Sequence, residues 1–326
     1  MGLFGKKTAS GQKEFSLFYT ADIHGSEKCF RKFVNAARFY KVDAIILGGD
    51  VTGKALVPLV ERADGRVEVH FLGEDKLLDS EFDVEETEKA IRFNGFYPFR
   101  IKAHDLDALA ADKEIREAEF ERIMAGELRR WTNLADERLG GSSIDCLVMP
   151  GNDDEVFTGP VLDEAEHVIN PEGRIIRVGP YQVLSLGYSN LTPWHSPREL
   201  SEPELERRID ELAEQLDPSL PTIFNIHVPP YGTGIDDAPQ LKDDLSIAGG
   251  SNSRMVPVGS PAVRAALERY QPVVSLHGHI HESKGAVKLQ RTVAINPGSE
   301  YNTGVLRGVI VKLRGPDVVS TQFVSA

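Results

Sequence analysis

Seven side chains of this sequence have the chemical types and the spacing of ligands for metal ions. They occur in short clusters, next to glycine or at the end of an apolar run. The seven are Asp22, His24, Asp50, Asn152, His227, His279 and His281. Carboxylate, imidazole and amide donors without a thiolate suit transition metals such as Mn, Fe, Ni or Zn. Seven ligands are too many for one ion and suit two ions that share a carboxylate.

Asp50 is the expected shared ligand. It ends the run Asp43-Ala-Ile-Ile-Leu-Gly-Gly-Asp50, which is typical of a buried parallel strand. Open α/β sheets bind their ligands at the carboxyl ends of strands, and glycines there let the backbone turn tightly. Two metals about 3.5–4 Å apart can share a hydroxide and present it to phosphorus for in-line attack. The pattern therefore predicts a hydrolase of phosphoesters.

The other clusters also follow predicted strands. A strand over 15–20 leads to Asp22, and a helix with an apolar face connects it to the strand before Asp50, which predicts a right-handed βαβ unit. Strands over 144–149, 222–226 and 273–276 lead to the remaining clusters. Because strand ends meet at one edge of a sheet, the seven ligands are expected to lie together.

Residues 54–140 interrupt this alternation of strands and helices. We interpret them as an insertion within a single domain that spans 1–326, with a strand over 66–72 and a helix over 106–139. An apolar stripe from Phe120 to Leu134 predicts packing of this helix onto the body of the protein, and a partner interface is the alternative.

The motifs together resemble one known family. Asp22-x-His24, Gly49-Asp50, Gly151-Asn152, His227 and Gly278-His279-x-His281 are similar to the signature of the calcineurin-like metallophosphoesterase superfamily, and the segment 229–233 resembles its Icc-type prokaryotic branch. The resemblance implies a four-layer α/β/β/α sandwich of two mixed β-sheets with a partly helical insertion. It implies two metal sites, made by the sets Asp22, His24, Asp50 and His281, and Asp50, Asn152, His227 and His279.

The chain departs from this family at one position. The family usually has histidine after the asparagine, where this sequence has Asp153, and that histidine is credited with protonating the leaving group. An ionised Asp153 would repel an incoming phosphate. Asp154 matches the acid of the family, so Asn152, Asp153 and Asp154 are the candidate catalytic residues. A loop carrying Trp194 and His195 either lines the substrate cleft or is packed as an ordinary loop.

Composition excludes several classes of function. The formal net charge of −13 argues against an unaided nucleic-acid binder, which needs clustered Lys and Arg. No apolar run approaches the roughly 20 residues that span a bilayer, and the two cysteines, Cys29 and Cys146, are expected to be reduced core residues of a cytoplasmic protein. Mn is the expected activating metal and a small phosphoester the expected substrate, with a homo-oligomer left open.

The sequence thus predicts a dinuclear metal-dependent phosphoesterase, in particular a phosphodiesterase. The alternative is a non-catalytic scaffold of the same fold that binds metal or protein. Retention of seven costly polar ligands favours the enzyme, whereas Asp153 favours the scaffold.

Overall fold

This computed structural model describes residues 13–242, 244–248 and 253–326. Its strands, in chain order, are β1 (Phe15–Thr20), β2 (Ala44–Gly48), β3 (Leu56–Glu61), β4 (Val67–Phe71), β5 (Glu74–Leu78), β6 (Tyr97–Lys102), β7 (Asp145–Met149), β8 (Val168–Ile169), β9 (Ile175–Val178), β10 (Tyr181–Leu186), β11 (Ser189–Asn190), β12 (Glu199–Leu200), β13 (Thr222–Ile226), β14 (Asp237–Pro239), β15 (Met255–Pro257), β16 (Val274–Leu276), β17 (Gly285–Leu289), β18 (Thr292–Asn296), β19 (Arg307–Arg314) and β20 (Asp317–Ser325). Its helices are α1 (Glu27–Phe39), α2 (Glu81–Phe93), α3 (Ala103–Ala111), α4 (Lys113–Leu139), α5 (Thr158–Leu162), α6 (Glu202–Ala213) and α7 (Pro261–Tyr270).

Two large mixed sheets form the centre of the described part of the chain. The first sheet has the strand order β20-β19-β1-β2-β7-β8, in which β1, β2, β7 and β8 are parallel and β19 is antiparallel to β1. The second sheet has the order β17-β18-β16-β13-β10-β9, with parallel strands at its centre and antiparallel strands at both edges. Central strands such as β2 and β10 are buried along their whole length, which explains the uninterrupted apolar sequence of β2.

The sheets face one another, and helices cover their outer faces. Leu17 and Ile46 of the first sheet pack against Ile223 and Val274 of the second. Helices α1 and α4 cover the outside of the first sheet, and α6 and α7 cover the outside of the second. The protein is therefore the predicted four-layer α/β/β/α sandwich.

Helix α4 belongs to the core of this sandwich. Trp131 stacks on Phe30 of α1 with ring centroids 4.7 Å apart, and it is buried together with Leu128. The C-terminal part of the apolar stripe, with Leu128, Trp131 and Leu134, thus packs onto the body as predicted. Its N-terminal part, with Phe120, Ile123 and Met124, packs instead against Tyr97 and Phe99 of β6 in the inserted sheet. The predicted helix over 106–139 is in fact two helices, because the side chain of Asp112 accepts hydrogen bonds from the backbone N–H groups of Glu114 and Ile115 and caps α4.

Residues 56–102 form a further sheet with the order β5-β4-β3-β6, which has a small apolar core of its own. This sheet reaches the main body through Tyr97, whose hydroxyl accepts a hydrogen bond from the backbone N–H of Gly53 at 2.7 Å. The insertion therefore contacts the turn that follows β2. Within the described residues, no helix combines the length and the apolar character that crossing a membrane requires.

Candidate metal centre

The predicted ligands lie where the strand ends of the two sheets converge. Asp22 and Asp50 follow β1 and β2, and the backbone N–H of Asp22 donates to the carbonyl of Gly49 at 3.0 Å. His227 follows β13 of the second sheet, and its Nδ1 lies 2.9 Å from the carbonyl oxygen of Gly48 in the first. This contact joins the two sheets at the site and directs Nε2 of His227 towards the other ligands.

The first cluster consists of Asp22, His24 and His281. The Nε2 atoms of the two histidines are 3.1 Å apart, and Nε2 of His281 is 3.8 Å from Oδ1 of Asp22. Asp22 is fully buried, and the backbone N–H of His279 donates to its carboxylate. The three side chains therefore converge on one point from two separate loops, the one after β1 and the one after β16.

The second cluster consists of Asp50, His227 and His279, with Asn152 beside them. Oδ1 of Asn152 lies 3.0 Å from Nε2 of His227 and 2.8 Å from Nδ1 of His279. Asp50 is nearly buried, and its Oδ2 lies 3.3 Å from Nε2 of His227. All seven predicted ligands are thus brought together in two adjacent groups.

Asp50 lies between the two groups. Its Oδ2 is 3.3 Å from Nε2 of His227 in the second cluster and 3.7 Å from Nε2 of His24 in the first. Its Oδ1 accepts a hydrogen bond from the backbone N–H of Asp153 at 2.9 Å, which fixes the carboxylate plane. This position is the one that a bridging ligand requires.

Backbone geometry at the site is unusual. Four of the ligands, Asp22, His24, Asp50 and His279, have φ between 39° and 66°, a region that costs a non-glycine residue about 1–3 kcal/mol. Gly151 leaves room for Asp50, because a Cβ at that position would overlap Oδ1 of Asp50. These backbone conformations therefore lower the stability of the fold, and they direct the four side chains towards the candidate metal sites.

The charges of the cluster favour a bound cation. Burial disfavours a charged imidazole, but the carboxylates of Asp50 and Asp22 prevail and raise the pKa of His227 to about 9. Burial raises the pKa of Asp22 to about 6, and it lowers the pKa of His279 to about 3. Without a metal, the buried carboxylates thus retain a proton on His227, a position that a metal cation would take over.

The donor atoms also fit metal ions by their spacing. Metal–ligand distances of about 2.0–2.2 Å place neighbouring donors of one ion roughly 3–3.5 Å apart. The contacts of 3.1 Å between His24 and His281, and of 3.0 and 3.3 Å from His227 to Asn152 and Asp50, match this spacing. Imidazole and carboxylate donors without a thiolate suit Mn, Fe, Ni or Zn.

Metal binding near neutral pH should release about one proton per chain, because His227 must lose its proton to become a ligand. Below a pH of about 9 this residue is protonated in the metal-free protein, so the affinity for metal should fall as the pH is lowered from 9. Calorimetric titration with Mn²⁺ at pH 7.5, in two buffers of different ionisation enthalpy, counts the protons. Binding without proton release would show that His227 does not become a ligand.

Asp154 holds together the turn after Asp50 and the turn that begins at Gly151. It is fully buried, and its carboxylate accepts hydrogen bonds from the backbone N–H groups of Val51, Thr52 and Gly151 at 3.0, 2.7 and 2.7 Å. Burial, followed by the neighbouring charge of Asp50, raises the pKa of Asp154. This residue therefore ties the turn after Asp50 to the turn that carries Asn152, and it does not face the site.

Asp153 has partners that the sequence does not reveal. Its Oδ1 lies 2.6 Å from Nζ of Lys54 and accepts a hydrogen bond from Oγ of Ser196 at 2.8 Å. The expected repulsion of phosphate by Asp153 is therefore offset by a cation in direct contact. Lys54 follows Asp50 by four residues in a glycine-containing turn, which is the one signal in the sequence that places it near the site. A catalytic role of Asp153 stays a prediction.

Two further groups adjoin the ligands. The ring of Tyr301 lies 4.7 Å from that of His24, centroid to centroid, and it also contacts His281. Trp194 and His195 are on the loop that brings Ser196 to Asp153, and the side chain of Trp194 is exposed. This loop thus adjoins the site, while the role of the two residues in the substrate cleft stays a prediction.

Comparison with known sequences gives a match over part of the chain. No protein-family model matches the chain. An uncharacterized protein of Methanocaldococcus jannaschii is 28% identical over 158 residues, which are 47% of this chain. The match takes in 64% of that relative, so this chain covers less than two thirds of its length.

Solved structures give a broader match. One crystal structure is similar over 96% of this chain and 99% of its own, with a TM-score of 0.57 and 16% identity. The protein TT1561 of Thermus thermophilus is similar over 93% of this chain and 99% of its own, with a TM-score of 0.50 and 15% identity. At such identities the likeness concerns the fold, and it includes nearly the whole chain.

Proposed function

We propose that the chain is a dinuclear metal-dependent phosphoester hydrolase of the calcineurin-like metallophosphoesterase type, which its α/β/β/α fold and its two clusters of potential metal ligands support. The observation that carries the proposal is the position of Asp50, whose Oδ2 lies between Nε2 of His24 and Nε2 of His227. A carboxylate held there can serve both clusters. In this assignment Asp22, His24, Asp50 and His281 hold one ion, and Asp50, Asn152, His227 and His279 hold the other.

The residues of the chain prepare the site for an anionic substrate. Bound metal ions would lower the pKa of a shared water and neutralise charge on the phosphoryl group. Asp22 and Asp50 are the two carboxylates among the seven ligands, so they balance half the charge of two divalent ions. The loaded site keeps a net positive charge, which attracts a phosphoester.

The ligands also keep their geometry without the substrate. Asp154 and the contact of His227 with the carbonyl of Gly48 hold the loops from behind. The amide oxygen of Asn152 is fixed between two imidazoles. Such preorganised groups need little rearrangement when charge develops on phosphorus, which is the main source of electrostatic catalysis.

A phosphodiester is the substrate class that suits the site best. The formal net charge of −13 of the chain disfavours a second negative charge on the substrate. A monoester carries two charges near neutral pH, whereas a diester carries one. We also propose that the phosphodiester is a small molecule and that Mn is the activating metal.

A panel of esters tests the function. With Mn²⁺ at pH 7.5, kcat/KM for bis(4-nitrophenyl) phosphate should exceed that for 4-nitrophenyl phosphate by about tenfold, a difference of ~1.4 kcal/mol in transition-state free energy. A preference for the monoester would contradict the substrate class. Absence of turnover for every ester, with Mn, Fe, Ni and Zn each supplied, would refute the hydrolase and favour a non-catalytic scaffold.

A further inference from the structure

Lys54 places a positive charge at the open side of the metal centre. Its Nζ lies 2.6 Å from Oδ1 of Asp153, the residue after the ligand Asn152. The side chain of Lys54 is 47% exposed, compared with 13% for His24 and 4% for Asp50. An anion that enters the site from solvent therefore meets this ammonium group beside the ligands.

The backbone up to Lys54 is fixed by several contacts. Thr52 donates its backbone N–H and its hydroxyl to Asp154, at 2.7 and 2.5 Å. Gly53 donates its N–H to the buried hydroxyl of Tyr97 at 2.7 Å, and a Cβ on Gly53 would lie 2.9 Å from the carbonyl oxygen of His24. The backbone on the N-terminal side of Lys54 is thus held beside the metal-binding turn.

Asp153 holds the other end of this side chain. Its Oδ1 accepts hydrogen bonds from both Lys54 and Ser196, and its Oδ2 lies 3.8 Å from Nδ1 of His24. Its backbone N–H donates to Asp50. Asp153 therefore connects Lys54 to the ligands His24 and Asp50, and its carboxylate forms an ion pair with the ammonium group of Lys54.

From this geometry we propose that Lys54 is a catalytic residue that contacts the phosphoryl group, and that Asp153 is the positioning residue that holds it there. The inference rests on the proposed hydrolase function. During hydrolysis the oxygen of a water molecule bonds to phosphorus and releases a proton to solvent. The bond to the leaving oxygen breaks with its electron pair on that oxygen, which takes up a proton from solvent. The ammonium of Lys54 stabilises the negative charge that develops on the phosphoryl oxygens by a charge-assisted hydrogen bond.

Variants of both residues test the proposal. Lys54→Met should lower kcat/KM for a phosphodiester by about 10²–10³-fold, the usual effect of removing one donor to a developing anion, with both metals retained. Lys54→Arg should recover most of this loss. Asp153→Asn should lower kcat by about tenfold, because Lys54 loses its partner, whereas a merely repelling Asp153 would make the variant faster.

A matched control separates a local effect from a change in overall charge. Lys89 is exposed on α2 and forms an ion pair with Glu86 at 2.8 Å, away from the site. Lys89→Met removes the same charge and should hydrolyse the diester like wild type. If Lys54→Met behaved like Lys89→Met, the proposal would be overturned.

Binding of inorganic phosphate makes the test independent of turnover. Calorimetry on the Mn-loaded protein should show that Lys54→Met weakens phosphate binding about tenfold and that Lys89→Met does not. If the wild-type protein hydrolysed no ester but bound phosphate more tightly than Lys54→Met, the hydrolase function would be refuted. Lys54 would then still be an anion-binding residue. Equal phosphate affinity of wild type and Lys54→Met would refute the role of Lys54 even in an active enzyme.

Discussion

Replacing Asp50 with Asn should remove both metal ions and lower phosphoester hydrolysis by at least about 10³-fold, which is ~4 kcal/mol of transition-state stabilisation. The reason is that Oδ2 of Asp50 lies near donors of both clusters, at 3.7 Å from Nε2 of His24 and 3.3 Å from Nε2 of His227. An amide is a weaker donor and carries no charge to offset two cations. The protein should stay folded, because the amide oxygen can still accept the N–H of Asp153.

Elemental analysis after reconstitution with Mn²⁺ measures the metal content of the variant, and circular dichroism checks that the variant is folded. Asp43→Asn is the matched control, since Asp43 precedes the same strand at its opposite end, where it accepts hydrogen bonds from Ser16. The control should keep both metals and full activity. An Asp50→Asn protein that still held two metal ions would disprove the bridging assignment.

Asp154→Asn should destabilise the fold by roughly 2–4 kcal/mol and weaken metal binding by about 10–100-fold. The buried carboxylate accepts hydrogen bonds from three backbone N–H groups and from the hydroxyl of Thr52. An amide group cannot accept all four, because its nitrogen is itself a donor. The unpaired N–H groups belong to the turns that carry Asp50 and Asn152, so the ligands lose their support.

Asp236→Asn is the matched control, because Asp236 is a buried carboxylate that accepts several backbone N–H groups, as Asp154 does. It is also fully buried and accepts N–H groups of Gly232, Thr233, Gly234 and Gly259, which are not in the metal-binding turns. Chemical denaturation should show similar losses of unfolding free energy in both Asn variants. Metal affinity should fall only for Asp154→Asn, and an equal fall in both would mean that general loosening of the fold causes it.

The sequence predicts which polar side chains meet at the strand ends, because the signal for each of them is local. Each of them follows an apolar strand within a few residues, and parallel strands align their carboxyl ends, so Asp22 and Asp50 lie together at the edge of the first sheet and His227 and His279 at the edge of the second. The two sheets and the outer helices follow from the same alternation of apolar runs. The break between α3 and α4 at Asp112 escaped the prediction, since the apolar pattern continues across it.

The partners of Asp153 are not readable in the sequence. Lys54 and Ser196 reach it from positions 99 and 43 residues away, and long flexible side chains give no periodic signal. Tyr97 lies in the inserted sheet, yet its hydroxyl fixes Gly53 beside the site. Contacts of this kind depend on how the insertion packs on the sandwich, which strand and helix patterns do not specify. The boundaries of that insertion, 54–140, stay a prediction.

Titration of the metal-free protein with Mn²⁺, followed by bound metal and by diester hydrolysis in the same samples, tests the dinuclear centre most directly. The geometry of the two clusters around Asp50 predicts two ions per chain and hydrolysis that rises with occupancy of the second. Saturation at one ion per chain, or hydrolysis that is complete before the second ion binds, would contradict a dinuclear enzyme.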